Sequence, residues 1–177
     1  MPLPTTTRQG WYWRVADPWW RDPADTSYSK AHGGRWNIAG EFGALYFNRD
    51  IAVAAANARW RYRNRAIKLF DLKPSERPIL VPFEVALLQV ADAISDRGVE
   101  ATDLPKNYPS SDDHVACQAI GLQAVREGLD GVASRSAAEA TATSWVGEEL
   151  ALFDTRPLPT PAGPALTFAR WYSGAHP

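Results

Sequence analysis

The sequence predicts a single α+β domain with mixed strands and flanking helices. Strand-like and helix-like stretches alternate irregularly, with no clean βαβ repeat that would ask for a parallel sheet. The chain has 177 residues, which fits one domain over residues 1–177. A domain of that size buries roughly 70% of the surface its unfolded chain exposes, so it needs no disulfide or metal staples.

The elements follow in order. "GWYWRVA", residues 10–16, is aromatic and β-branched and reads as a first strand. The Pro- and Gly-punctuated stretch after it, residues 17–34, reads as a long loop. "RWNIAG" and "GALYF" read as two short strands about a turn at Gly40 to Gly43. From Asp50 to about Arg63 the chain is alanine-rich and reads as a helix. Asp50 suits its N-cap, and the arginines crowd the end where cations suit the helix dipole. "RPILVPFEVALLQV" reads as one or two strands, and residues 91–111 as mostly loop. The next helix follows Ser111 or Asp112 as cap, with Val115, Ala119, Leu122 and Val125 at helical spacing and Gly128 and Gly131 at its end. "GVASRS" and "EELALFD" read as strands, and the Pro- and Gly-rich tail from Arg156, residues 156–177, as a surface wrap.

Composition narrows the function classes. Apolar content is 45%, charged content 22% and net charge −1, so no global field draws the chain to nucleic acid or a membrane. A single cysteine excludes intrachain disulfides and multi-cysteine zinc sites and points to a cytoplasmic setting. No stretch reads as a signal peptide or a membrane span. The three histidines have no metal-ligand spacing, and no P-loop, G-x-G-x-x-G or G-x-S-x-G is present.

Several local patterns bear on chemistry, each with a structural alternative. Gly33-Gly34-Arg35 fits a turn with an exposed arginine, or a backbone that approaches an anion with an arginine forked onto it. Tyr46 shares a strand face with Ala44, and is either a half-buried core tyrosine or a wall for a flat ring or sugar. Arg14 sits in an aromatic strand on the face of Tyr12 and Ala16. A charge buried there needs a carboxylate or a ligand phosphate. Arg59, Arg61, Arg63 and Arg65 alternate with aromatics, which suits either a solvated helix end paired to acids or a single-stranded nucleic-acid platform.

Taken in series, these pieces resemble the RES domain, the toxin half of many bacterial RES–Xre toxin–antitoxin pairs. The series is "WR" at 13–14, "GGRWN" at 33–37, "GALYF" at 43–47, the alanine-rich helix, "CQAIG" at 117–121 and "SRSA" at 134–137. The resemblance covers roughly residues 11–154. It implies a fold like that of ADP-ribosyltransferase toxins and consumption of NAD by hydrolysis, phosphorolysis or ADP-ribosyl transfer, with no metal. By position, the motif arginine falls on Arg35, the upstream pocket arginine on Arg14, the pocket tyrosine on Tyr46 and the family serine on Ser136. Arg14, Gly34, Arg35 and Tyr46 are then the expected NAD-binding residues, and Arg35, Tyr46, Asn57 and Ser136 the expected catalytic set. The resemblance also implies an Xre-like antitoxin covering the pocket, with nucleic acid met only through that partner.

One position departs from the pattern. The family glutamate follows the "LY" tyrosine by about eleven residues, and that count lands on Asn57 among alanines. Cleaving the nicotinamide–ribose bond builds positive charge on the sugar, which a carboxylate stabilises and an amide does not. Glu41, Asp50, Glu148 and Glu149 are the acids that could stand in. The sequence thus leaves three readings: an NAD-consuming toxin, an NAD- or nucleotide-binding module with weakened or lost catalysis, and a single-stranded nucleic-acid binder.

Overall fold

Five strands close on themselves in a computed structural model that describes residues 1–138 and 147–172. They are β1 (Thr5–Ala16), β2 (Ala44–Asn48), β3 (Ile79–Ala93), β4 (Gly131–Arg135) and β5 (Glu148–Phe153), joined in the order β1-β2-β5-β4-β3. Every pairing is antiparallel except β3 with β4, so the sheet is mixed. The helices are α1 (Ser27–His32), α2 (Ile51–Tyr62), α3 (Asp96–Ala101), α4 (Val115–Arg126) and α5 (Phe168–Trp171). The expected α+β class with flanking helices is the observed one.

Strand alternation divides the core. Tyr12 and Ala16 of β1, Leu45 and Phe47 of β2, Val81 and Phe83 of β3, and Leu150 and Leu152 of β5 fill the barrel. The opposite faces of β2 and β5, through Ala44, Ala151 and Phe153, pack beneath Trp36, Tyr108 and α4. A third cluster joins Ala54, Ala55 and Ala58 of α2 to Leu80, Phe168, Trp171 and Tyr172. The alanines of α2 let that helix lie close to its neighbours. Asp50 caps it as expected, its side chain accepting from the Val53 N–H at 2.9 Å.

The barrel has one loose seam. β1 and β3 pair from Thr5–Ala91 to Ala16–Ile79 with one bulge between Arg8 and Gly10, whereas β1 and β2 share a single register pair, Trp13 with Asn48. Arg14 and Val15 of β1 and Tyr46 to Asn48 of β2 border that gap, and this is where the cleft described below lies.

Four sequence expectations need correction. "RWNIAG" is not a strand. Asn37 donates its amide to the carbonyls of Ser29 and Phe42, and its own carbonyl accepts from the Gly34 N–H, so the segment folds back on itself rather than joining the sheet. The two expected loops hold short helices, α1 and α3. Ser95 caps α3 by accepting from the Gly98 N–H. Helix α4 begins at Val115, beyond the expected caps, and buries Cys117, Ile120, Gly121 and Ala124 rather than the Val115 stripe. Val115 is largely exposed. Small residues won that face because the helix meets backbone there: a Cβ on Gly121 would lie 1.8 Å from the Trp36 carbonyl oxygen.

Residues 156–166 of the tail run beside β3, with bridges from Leu166 to Leu80 and from Pro161 to Phe83, and residues 173–177 lie outside the described residues. The segment between is core, however, since α5 buries Phe168 and Trp171 against α2. Among the described residues no helix is long and apolar enough to cross a membrane.

Gly121→Ala is expected to cost about 1–3 kcal/mol, towards the upper end, because the atom in the way is backbone and cannot rotate aside. Urea unfolding of the variant beside the native chain measures this. A loss under about 0.5 kcal/mol would contradict the close packing of α4 on Trp36.

Candidate active-site cleft

A cleft of about 800 Å³ opens at the β1–β2 seam. The loop holding Gly33 and Arg35 lines it, together with α2 and the segment around Trp19 and Trp20. Arg14, Arg35, Tyr46 and Asn57, proposed from the sequence, all line it.

Tyr46 fixes the geometry of the loop. Its hydroxyl donates to Asn37 Oδ1 at 2.9 Å and accepts from the Trp36 N–H at 3.0 Å. Burial pushes the phenol above its ordinary pKa, so it remains a neutral donor. The hydroxyl is engaged within the loop, and the residue also lines the cleft. Gly34 does not line the cleft, but it makes the arrangement possible. A Cβ there would lie 2.5 Å from the Tyr46 hydroxyl and 2.8 Å from Asn37 Oδ1.

Arg35 lines the cleft while donating through Nη1 to the Tyr108 carbonyl. That bond anchors one edge of the guanidinium, and the Cys117 thiol also lies within its hydrogen-bonding reach. Arg14 is in a different situation. It is only 8% exposed, its Nη1 makes one long hydrogen bond to the Tyr46 carbonyl at 3.3 Å, and its Nε has no partner. Trp20 lies under it, 5.3 Å from the guanidinium carbon to the ring centre. No carboxylate forms an ion pair with it among the described residues. Burial, and then the like charge of Arg61, pull its pKa down from the ordinary arginine value to about 10. The group stays charged at neutral pH, and it is desolvated with Asp25 and Asp22 near enough to act on its charge but not in ion-pair contact.

Asn57 projects from α2 into a polar knot. Its Nδ2 donates to Asn48 Oδ1 at 2.7 Å and to Glu149 Oε1 at 2.8 Å, and its Oδ1 accepts from Ser136 Oγ at 3.2 Å. The amide orientation follows from the chemistry, because a carboxylate can only accept and Nδ2 must therefore face Glu149. Ser136 is fully buried and does not line the cleft; it acts behind Asn57. Register explains the knot: Asn48 of β2 and Ser134 of β4 both stand opposite Glu149 of β5, so the three occupy adjacent positions across the sheet.

Sequence reading undervalued three members of the site. Asn48 carried no motif. Glu149 was one of four candidate acids. Arg61 was noted only within the Arg–aromatic run. The rest of that run is engaged internally: Arg63 stacks over Trp60 at 3.8 Å, Arg65 over Tyr62 at 5.0 Å, and Arg59 over Tyr172 at 5.9 Å. Arg61 lies near Asp17, and Arg63 near Asp112. One face each of Trp60 and Tyr62 is thus taken by the chain's own arginines.

A barrel with a seam cleft, walled by a Gly-Gly-Arg loop and an alanine-rich helix, defines a class. The RES domain profile matches residues 12–170, and the chain belongs to the RES domain family. In fold it is similar to a chain of the crystal structure of the M. tuberculosis MbcT-MbcA toxin-antitoxin complex. The TM-score is 0.81 at 21% sequence identity, over 97% of this chain and 91% of that one. No curated protein matches it in sequence.

Tyr46→Phe removes the hydroxyl that satisfies the Trp36 N–H and Asn37 Oδ1, and is expected to lower stability by about 1–3 kcal/mol. Denaturant titration reads this out. A neutral result would mean the loop does not hang on that hydroxyl.

Proposed function

We propose that the chain is a RES-type toxin that consumes NAD by breaking its nicotinamide–ribose bond. The observation that carries this reading is Arg14: a buried guanidinium with an unpartnered Nε and, among the described residues, no carboxylate in ion-pair range, facing a cleft. A protein holds such a group at a cost in stability unless a ligand supplies the anion. A diphosphate suits it, with Arg35 as a second donor and aromatic walls from Tyr46 and Trp20 for the flat rings on either side. Family membership supports the reaction class, and the similar fold in a toxin–antitoxin complex supports a protein antitoxin, of Xre-like type, that covers the cleft. The reading places the protein in the cytoplasm, where NAD is available, and asks for no metal ion.

The direct test is incubation of the purified chain with excess NAD, following nicotinamide release by chromatography. Release above a protein-free control is expected. No release over a long incubation, with no ADP-ribosylated protein, overturns the reading. The binding-module reading predicts that same absence of release together with retained NAD binding.

Arg14 also gives a stability signature. Its folded pKa of about 10 lies below the ordinary arginine value, so above about pH 10 the unfolded chain binds the extra proton, and stability gains with rising pH until the unfolded arginine also loses its proton. At neutral pH the full penalty of the buried charge is present. Arg14→Met is therefore expected to raise the melting temperature of the ligand-free protein while abolishing the rise that NAD or ADP-ribose produces in the native chain. A variant that still gains stability from ADP-ribose would remove Arg14 from the anion site.

A further inference from the structure

The residue at the expected acid position is an amide, and the structure accounts for everything that amide does. Both Nδ2 hydrogens of Asn57 are used, one on Asn48 and one on Glu149, and its oxygen holds Ser136. It has no donor left for a ribose hydroxyl.

The four acids that could replace the missing carboxylate separate by position. Asp50 caps α2. Glu148 points along the other strand face, accepting from Arg8 Nε at 2.7 Å and from the Tyr12 hydroxyl at 2.8 Å. Glu41 lies exposed in the turn before β2. Only Glu149 lines the cleft. Its Oε1 accepts from Asn57 Nδ2 and, at 3.3 Å, from the Ala137 N–H. Neither of its oxygens is in an ion pair among the described residues, and no hydrogen bond there uses Oε2. One cleft thus holds Arg14 and Glu149 on separate strands, neither in an ion pair among the described residues, with Asp22, Asp25, Arg35 and Arg61 also in its lining. Two opposite charges that share a cavity without meeting suit a ligand that is itself bipolar: a diphosphate joined to a sugar that becomes cationic as it reacts.

We propose that Glu149 of β5 is the catalytic carboxylate at the ribose end of the cleft, and that Asn57 is the residue that positions it. Acid and amide have exchanged places across one hydrogen bond. The inference rests on the NAD-cleaving reading above. In the step it describes, the bond between ribose C1′ and the nicotinamide nitrogen breaks, and its electron pair goes to the nitrogen, cancelling the ring's positive charge. The charge reappears on the ribose as an oxocarbenium ion, which the Glu149 carboxylate stabilises. Water, the co-reactant, bonds through a lone pair to C1′ and gives its proton to Glu149, which passes it to solvent. The products are nicotinamide, ADP-ribose and one proton. Asn57, tied to Ser136 and Asn48, keeps Oε1 occupied and leaves Oε2 for this work.

The test is a set of three variants assayed for nicotinamide release from NAD. Glu149→Gln keeps the size and an acceptor for Asn57 while removing the charge. It is expected to lower kcat by about 10²- to 10³-fold with little change in KM. Asn57→Glu alone sets a second carboxylate beside Glu149 and is expected to bring no gain. The exchange variant, Asn57→Glu with Glu149→Asn, restores one acid and one amide and is expected to recover at least about tenfold over Glu149→Gln. ADP-ribose binding and thermal melting report whether each variant folds, and if Glu149→Gln does not, the exchange variant decides: recovery supports the proposal and none overturns it. An active native chain with Glu149→Gln within about threefold of it overturns the assignment and leaves the NAD reading standing. So does a rise of more than about tenfold from Asn57→Glu alone. A native chain that releases no nicotinamide overturns the NAD reading and the assignment together.

Discussion

The hydroxyl of Tyr46 is the point from which the cleft is built. It joins strand β2 to the loop before it through two hydrogen bonds, and it reaches that loop only because residue 34 has no side chain. The same loop carries Trp36, whose carbonyl sits against Gly121 of α4, and Arg35, which reaches the Tyr108 carbonyl. One wall of the cleft is therefore fixed on three sides by contacts too close to admit even a methyl group at two of its positions. Rigidity of this kind is what a site needs if its charged groups are to be held at a distance from one another.

Holding charges apart runs against the tendency of a folded chain to pair them. Elsewhere this molecule does pair them: Arg8 meets Glu148 at 2.7 Å and Arg135 meets Asp96 at 2.6 Å. Arg14 and Glu149 are exceptions within one cavity. Their isolation is tolerable because the apolar barrel and the cluster around α5 supply stabilisation that does not depend on the cleft. The result is a small polar region set into a largely apolar structure, with Ser134 Oγ a second buried atom that has no hydrogen-bond partner.

Much of this was legible in the sequence, for local reasons. Strand alternation placed Tyr12, Arg14 and Ala16 on one face and separated Ala44 and Tyr46 from Leu45 and Phe47, as observed. Asp50 announced the start of α2 because an N-cap is a one-turn interaction. What failed was set by distant contacts. The buried face of α4 depends on a backbone carbonyl 85 residues earlier, the distance in sequence from Trp36 to Gly121, and periodicity of apolar residues cannot register a glycine as the point of closest approach. "RWNIAG" has strand-like composition, yet a single asparagine amide folds it back. The role of Glu149 was hidden for the same reason. Its meaning comes from a register that sets it beside Asn48 and beneath a helix residue 92 positions away in the chain.

Cys117 adds a practical consequence. It is the chain's only thiol, it is buried on the inner face of α4, and burial pushes its pKa up to about 11. At pH 7 that leaves roughly one molecule in ten thousand as thiolate, in a place reagents do not reach. The native protein is in effect silent to maleimide chemistry. A single cysteine introduced at the exposed rim, for instance in place of Tyr28, would take up a fluorophore alone, and the natural thiol would not need to be removed from the helix it helps to pack.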